Sequence, residues 1–243
     1  MKWSGEYTVN ANDIDVNRVV TASQILRYMQ DAANWQMETD GLSYDELFVN
    51  RGLAFVLSKI KVSMYAPITS HQKITVESWA CPSKGMTFQR CYRILREGMI
   101  VAEAISAWAL VGVKDRKLHR VSEIGDQYGM DEPLELDMPA RMKIPEEVHM
   151  ALVGERTVEY ADIDMNGHMN NTRYPDMLCS YLDSMQGRRV ISMTLHFPSE
   201  APLGETIKVY HGESDGIHYL RTARENGNTN VEAEIILEEL ETR

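Results

Sequence analysis

Asp162-Ile163-Asp164-Met165-Asn166-Gly167-His168-Met169-Asn170-Asn171 has a degraded twin near the N-terminus, Asp13-Ile14-Asp15-Val16-Asn17-Arg18-Val19. The twin starts 149 residues earlier, and a helix-like segment follows each copy, Thr21 to Thr39 after the first and Asn171 to Ser184 after the second. Self-similarity at a fixed offset predicts two similar structural units packed together. Only the second copy holds a histidine, so the chemistry is expected there once.

Outward from these motifs the pattern repeats. In the first helix Ile25, Met29, Ala32, Ala33 and Gln36 share a stripe, with Leu26 alongside, and Gly41 supplies a stop. Strand-like runs follow at 53–65, 73–80, 86–96 and 99–113, punctuated by Gly85 and Glu97-Gly98. The second unit predicts a strand at 156–161, then the motif and its helix, then strands at 190–197, 206–211, 218–224 and 231–237, with hairpin signals at Asp215-Gly216 and Asn226-Gly227-Asn228. Pro133, Pro139 and Pro145 among alternating acids mark a crossing segment. The division is a first unit over 1–135, a linker over 136–150 and a second unit over 151–243. Val62-Ser63-Met64-Tyr65-Ala66-Pro67 aligns with Phe197-Pro198-Ser199-Glu200-Ala201-Pro202 at an offset of 135, so the second unit lacks a counterpart of Gly41–Gly52. The expected class is α+β: two antiparallel sheets, each wrapped around a long helix and joined edge to edge, which removes exposed strand edges.

The chain has 243 residues, 44% hydrophobic and 25% charged, enough for a substantial core. Its net charge of −11 supplies no broad basic surface and argues against a nucleic-acid binder. The densest basic run is Lys114-Asp115-Arg116-Lys117-Leu118-His119-Arg120, read either as a solvated turn or as a docking patch for an acidic partner. The opening Met1-Lys2-Trp3-Ser4-Gly5-Glu6 is not an apolar leader, and no window approaches a membrane span. Cys81, Cys91 and Cys179 are odd in number and lack metal-ligand spacing, which suits a reduced cytoplasmic setting.

Asp162-x-Asp164-x-Asn166-Gly167 invites a calcium-loop reading, but the twelfth position is Arg173 where a bidentate glutamate belongs. His168 has no second histidine or cysteine at zinc spacing, and Cys179 sits mid-helix, where a small core residue belongs. No metal or cofactor is expected. What remains is Asp164, Asn166 and His168 just before a helix. Asn166 supplies an amide donor, His168 a proton shuttle near neutral pH, and backbone N–H groups around Gly167–Asn170 suit a developing oxyanion. The bland alternative is a capped turn that contains a histidine. In the first unit Val19 and Tyr65 stand at the positions matching His168 and Glu200, so an imidazole and a carboxylate were introduced together in the second.

These residues resemble those of the acyl-acyl-carrier-protein thioesterase family, double hotdog enzymes of fatty-acid synthesis known from plant plastids and bacteria. The likeness rests on Asp164-Met165-Asn166-Gly167-His168-Met169-Asn170-Asn171-x-x-Tyr174 and on Leu195-His196-Phe197-x-x-Glu200. Gly41-Leu42-Ser43, and Trp108 followed by the basic run, also fit, so the likeness extends from about Tyr7 to Leu237. It implies a catalytic set of Asp164, Asn166, His168 and Glu200. Glu200, with His168 assisting, would activate a water, and Asn166 would hold the thioester carbonyl. Plant members commonly carry a cysteine after the glutamate; Ala201 here favours water as the direct attacker. The likeness also implies an acyl slot in the first unit along Ile25, Leu26, Met29 and Ala33, with Asn170 and Asn171 beside the reacting group. The implied partner is acyl carrier protein bearing a phosphopantetheine-linked acyl chain. An acidic carrier needs a basic dock, for which Lys114, Arg116, Lys117 and Arg120 come first and Arg173, Arg188 and Arg189 second. An acyl-coenzyme A thioesterase of the same fold, a hydratase and a non-catalytic acyl-binding module are the competing readings. Monomer and homodimer are equally compatible with the residues.

Overall fold

The computed structural model describes residues 2–124 and 131–240. The first half runs β1 (Trp3–Thr8), α1 (Ala22–Thr39), β2 (Leu53–Met64), β3 (Lys73–Ala80), β4 (Phe88–Arg96) and β5 (Met99–Gly112). A two-residue β6 (Leu118–His119) folds back on β5. The second half repeats the order: β7 (Ala151–Thr157), α2 (Tyr174–Cys179), β8 (Arg188–His196), β9 (Thr206–Ser214), β10 (Ile217–Ala223) and β11 (Thr229–Glu239). Glu97-Gly98 and Asp215-Gly216 both take positive φ at each residue, the type I′ geometry that suits two-residue hairpins.

All strands join one antiparallel sheet in the order β1-β3-β4-β5-β2-β8-β11-β10-β9-β7. Read outward from the β2–β8 seam, the two directions give equivalent strands. The seam pairs Lys59 with His196 through Ser63 with Ser192, centred on Lys61 opposite Thr194. That centre relates the halves by 133 residues beyond the helix, not the 135 expected from sequence. The loops agree: Val20 N–H donates to Ile68 O, and Met169 N–H donates to Ala201 O. The first-half counterpart of Glu200 is therefore Pro67, not Tyr65. A slip of two keeps every side chain on its own face, so hydrophobic alternation could not expose it.

Thr21 caps α1 by accepting the Gln24 N–H, and the helix buries Ile25, Leu26, Met29, Ala32, Ala33 and Gln36. Its twin is far shorter than expected: a 3-10 turn at Asn171–Arg173 leads into α2, which stops at Cys179 instead of Ser184. Beyond it the Tyr181 and Leu182 N–H groups bond three residues back, tightening the chain out of the helix. Residues 180–187 must turn and reach β8, whereas the first half has 40–52 for the same connection.

One apolar cluster runs through both halves, with Ile60 and Val62 from β2 beside Met193 and Leu195 from β8. The crossing segment is docked on the sheet: Leu134, Leu136 and Met138 cover Trp79, Cys81, Cys91 and Ile105. Trp79 Nε1–H donates to Glu132 O, and Lys59 Nζ donates to the carbonyls of Pro139 and Ala140. No helix among the described residues is long and apolar enough to cross a membrane. Because the seam is buried, Met193→Ala is expected to cost about 2–5 kcal/mol. Urea unfolding checks this, and a loss under about 1 kcal/mol would show that the seam is not the common core.

Candidate active site

Both Asp-Ile-Asp turns close with the same backbone bonds. Asp15 N–H donates to Val19 O and Thr21 N–H to Asp13 O; Asp164 N–H donates to His168 O and Asn170 N–H to Asp162 O. In each, the second aspartate accepts the N–H of the following asparagine, Asp15 from Asn17 and Asp164 from Asn166, at 2.8 Å. Gly167 meets the turn's positive φ without a side-chain penalty, where the first copy strains Arg18 into φ 63°. Asp162 is buried, held by Arg156 at 2.6 Å and by the Glu159 N–H at 3.0 Å, which takes it out of any calcium loop.

The two asparagines then part company. Asn17 Nδ2 donates to Met185 O and Arg188 O, and its Oδ1 accepts from Gly187 N–H. It fastens the turn that enters β8. Asn166 makes no side-chain hydrogen bond among the described residues and lines a cavity instead. The backbone donors do not share that freedom. The Gly167, Met169 and Asn170 N–H groups go to Asp164 O, Ala201 O and Asp162 O, so the expected row of free backbone donors over 167–170 is largely spent.

His168 and Glu200 meet. His168 Nε2 lies 3.3 Å from Glu200 Oε1, and Arg116 grips Glu200 Oε2 at 2.5 Å. Hydrogen bonding to His168, reinforced by Arg116, holds the Glu200 carboxyl down at about 2. The carboxylate in turn raises the His168 imidazole above its usual value, against the pull of burial. With Nε2–H aimed at Glu200, the neutral ring presents Nδ1 as acceptor. Burial pushes the Cys179 thiol up to about 12, which removes it as a nucleophile.

The cavity holds about 850 Å³, near the top of the range of roughly 300–1,000 Å³ usual for ligand pockets. Leu26 and Met29 of α1, Leu57 and Ile60 of β2, Tyr92 and Trp108 form its apolar part. Asp164, Asn166, His168, Asn170, Asn171, Glu200 and Arg116 form its polar part. Of the expected slot residues, Ile25 and Ala33 point elsewhere: both are buried in the core and neither reaches the wall. Phe48, in the segment between α1 and β2, does reach it and went unrecognised.

The basic run also divides. Lys114, Lys117 and Arg120 are exposed beyond the cavity, whereas Arg116, at φ 56° in the turn after β5, is bound to Glu200 and is not a free docking charge. Among the second group, Arg189 is buried against Glu238 and Met64 O, and Arg188 pairs with Glu239. Arg116 offered no local sign of its role, because its partner lies 84 residues away.

The sequence patterns of the acyl-ACP thioesterase N-terminal and C-terminal domains match residues 1–128 and 146–239. The chain belongs to the acyl-ACP thioesterase family. It is 26% identical to oleoyl-acyl carrier protein thioesterase 2 of Arabidopsis thaliana, over 71% of this chain and 52% of that one. It is 23% identical to an acyl-[acyl-carrier-protein] hydrolase of Cuphea viscosissima, over 80% and 51%. The chain thus spans about half the length of the curated relatives it matches. In fold it superposes on an acyl-ACP thioesterase from Bacteroides thetaiotaomicron with a TM-score of 0.87, 98% coverage of each chain and 19% identity. The 12:0-ACP thioesterase from Umbellularia californica gives 0.83, covering 98% and 97% at 16% identity. These likenesses establish the double hotdog architecture.

The asparagine contrast is testable on stability alone. Asn17→Ala strands two carbonyls and an N–H and is expected to cost about 1–3 kcal/mol. Asn166→Ala should stay within about 0.5 kcal/mol of the parent. Equal losses in chemical denaturation would mean that Asn166 is as structural as its twin.

Proposed function

We propose that the chain hydrolyses the thioester of fatty acyl-acyl carrier protein, releasing a free fatty acid and ending chain elongation. The observation that carries the reading is the His168–Glu200 pair, 3.3 Å apart, at the polar part of a large apolar cavity. The first unit supplies most of the slot and the second supplies the chemistry. The enzyme acts in the cytoplasm as a monomer or homodimer.

In this mechanism His168 Nδ1 takes a proton from water as the water oxygen attacks the thioester carbon. The negative charge moves to the carbonyl oxygen, where Asn166 Nδ2–H receives it. Collapse breaks the C–S bond, and the imidazolium returns its proton to the leaving thiolate. Glu200, ionised far below neutral pH, is too weak a base to lead; it fixes the ring and stabilises the imidazolium. Asp164 holds the turn that presents both Asn166 and His168. Loss of the Asn166 donor should cost roughly a hundred- to a thousand-fold in turnover.

Because the working form of His168 is neutral and its folded value is raised, activity should fall as pH drops through a point above 6.5. Glu200→Gln removes the charge that raises it, so the acid limb should move to lower pH while turnover drops. Arg116→Met removes a charge that opposes protonation, so the limb should move to higher pH. A pH–rate series on an acyl-carrier substrate checks both directions. An unmoved limb in both variants, or near-normal hydrolysis by His168→Ala, removes His168 from the role.

The exposed cations at the cavity's flank fit an acidic carrier. Combined Lys114→Glu, Lys117→Glu and Arg120→Glu substitutions should raise KM for carrier-linked substrate at least tenfold and spare a coenzyme A thioester of the same chain. Equal losses on both substrates refute the docking role. Parent rates that favour the coenzyme A thioester would assign the enzyme to that substrate instead.

A further inference from the structure

The second half has a polar cluster away from the cavity with no counterpart in the catalytic scheme. Glu213 stands directly opposite His218 across β9 and β10, and His211 lies two residues along β9 on the same face. His211 Nε2 is 3.2 Å from His218 Nδ1, and His218 Nδ1 is 3.3 Å from Glu213 Oε2. The three ligand atoms all fall within 4.8 Å of one another.

The first half shows what this place needs. The seam's symmetry carries His211, Glu213 and His218 onto Ser78, Ala80 and Arg90, which are paired in the same way on β3 and β4. There the last turn of α1 sends down Gln36, and Arg90 donates to both Gln36 and Ser78. In the second half the helix ends at Cys179, well before the position of Gln36. Among the described residues no counterpart of Gln36 comes from α2, and two imidazoles and a carboxylate converge instead.

We propose that His211, His218 and Glu213 form a binding site for a divalent transition-metal ion, zinc above all, that clips β9 to β10. Tetrahedral zinc with bonds of about 2.0–2.1 Å to nitrogen and oxygen sets its ligand atoms roughly 3.3–3.4 Å apart. Two of the three separations, 3.2 and 3.3 Å, match that edge, and the third lies within 4.8 Å. Two ligands from alternate positions of one strand and one from its neighbour make a rigid tripod. His218 is buried, His211 half-buried and Glu213 exposed, so the fourth position faces water. Asp183 and Glu213 act on His211 with negative charge, which favours a cation. The sequence spacing hid the group because His218 enters from another strand.

Equilibrium dialysis of the full chain against zinc, with metal counted per chain, tests the site. The parent should hold one equivalent and gain in unfolding midpoint with added zinc. His211→Ala should lose that equivalent, and Glu213→Gln, an exposed change that leaves the fold intact, should weaken it at least tenfold. His119→Ala, which disrupts the surface His119–Glu123 pair, should change nothing. Cobalt in place of zinc should give the visible bands of a tetrahedral or five-coordinate site in the parent only. No bound zinc in the parent, or equal binding by parent, His211→Ala and Glu213→Gln, overturns the proposal. Neither result bears on thioester hydrolysis, which is assayed separately.

Discussion

The antiparallel pairing of β2 with β8 is the constraint from which the rest follows. Five residue pairs, from Lys59–His196 to Ser63–Ser192, join what would otherwise be two open sheet edges. They also fix where the two Asp-Ile-Asp turns sit. Each turn is thereby set against the seam strand and helix of the opposite half. The second turn faces β2 and α1 across the large cavity. The first faces β8 and α2 across a smaller one of about 480 Å³, walled by Val19, Met64, Cys179 and Val190.

From equal beginnings the two cavities diverged through a handful of side chains. In the first, Asn17 is drawn into the backbone of the Met185–Arg188 turn, Val19 replaces the imidazole, and Pro67 replaces the carboxylate. Its asparagine is spent on holding the chain. In the second, Asn166 lines the cavity with no side-chain hydrogen bond among the described residues, and Glu200 is fastened by a cation from the other half. Asn166 is exposed and its amide is left to solvent or a ligand, whereas its twin is committed to the backbone. The long α1 and short α2 differ in the same way: α1 lines the large cavity, and α2 stops after 6 residues.

Much of this was legible in the residues. The repeat, the helix and four following strands of each half, the Glu97-Gly98 and Asp215-Gly216 hairpins and the meeting of His168 with Glu200 all rest on local chemistry or on comparing the halves, whereas the outer strand β1 was missed and β7 lies earlier than the expected 156–161. The errors share a cause. The two-residue slip in the second alignment, the overlong second helix, and the placing of Ile25 and Ala33 on the slot concern distances or faces that local patterns do not set. Alternation is blind to a slip of two, and a helical stripe does not say which of its members meets a cavity and which meets a strand. Arg116 was visible as a charge but not as a partner, because only the folded sheet brings the turn after β5 to Glu200.

That contact explains why a half-molecule carrying the whole Asp-Asn-His motif would not suffice. Without the first half, Glu200 loses Arg116, β8 loses its partner, and the cavity loses the wall formed by Leu26, Met29, Leu57 and Ile60. A carboxylate freed of its cation would pull His168 toward its protonated form at neutral pH. The arginine therefore restrains the rise that Glu200 imposes on the ring. The first unit, with Val19 where the second has its imidazole, thus contributes a seam strand, a cavity wall and the guanidinium that fastens Glu200.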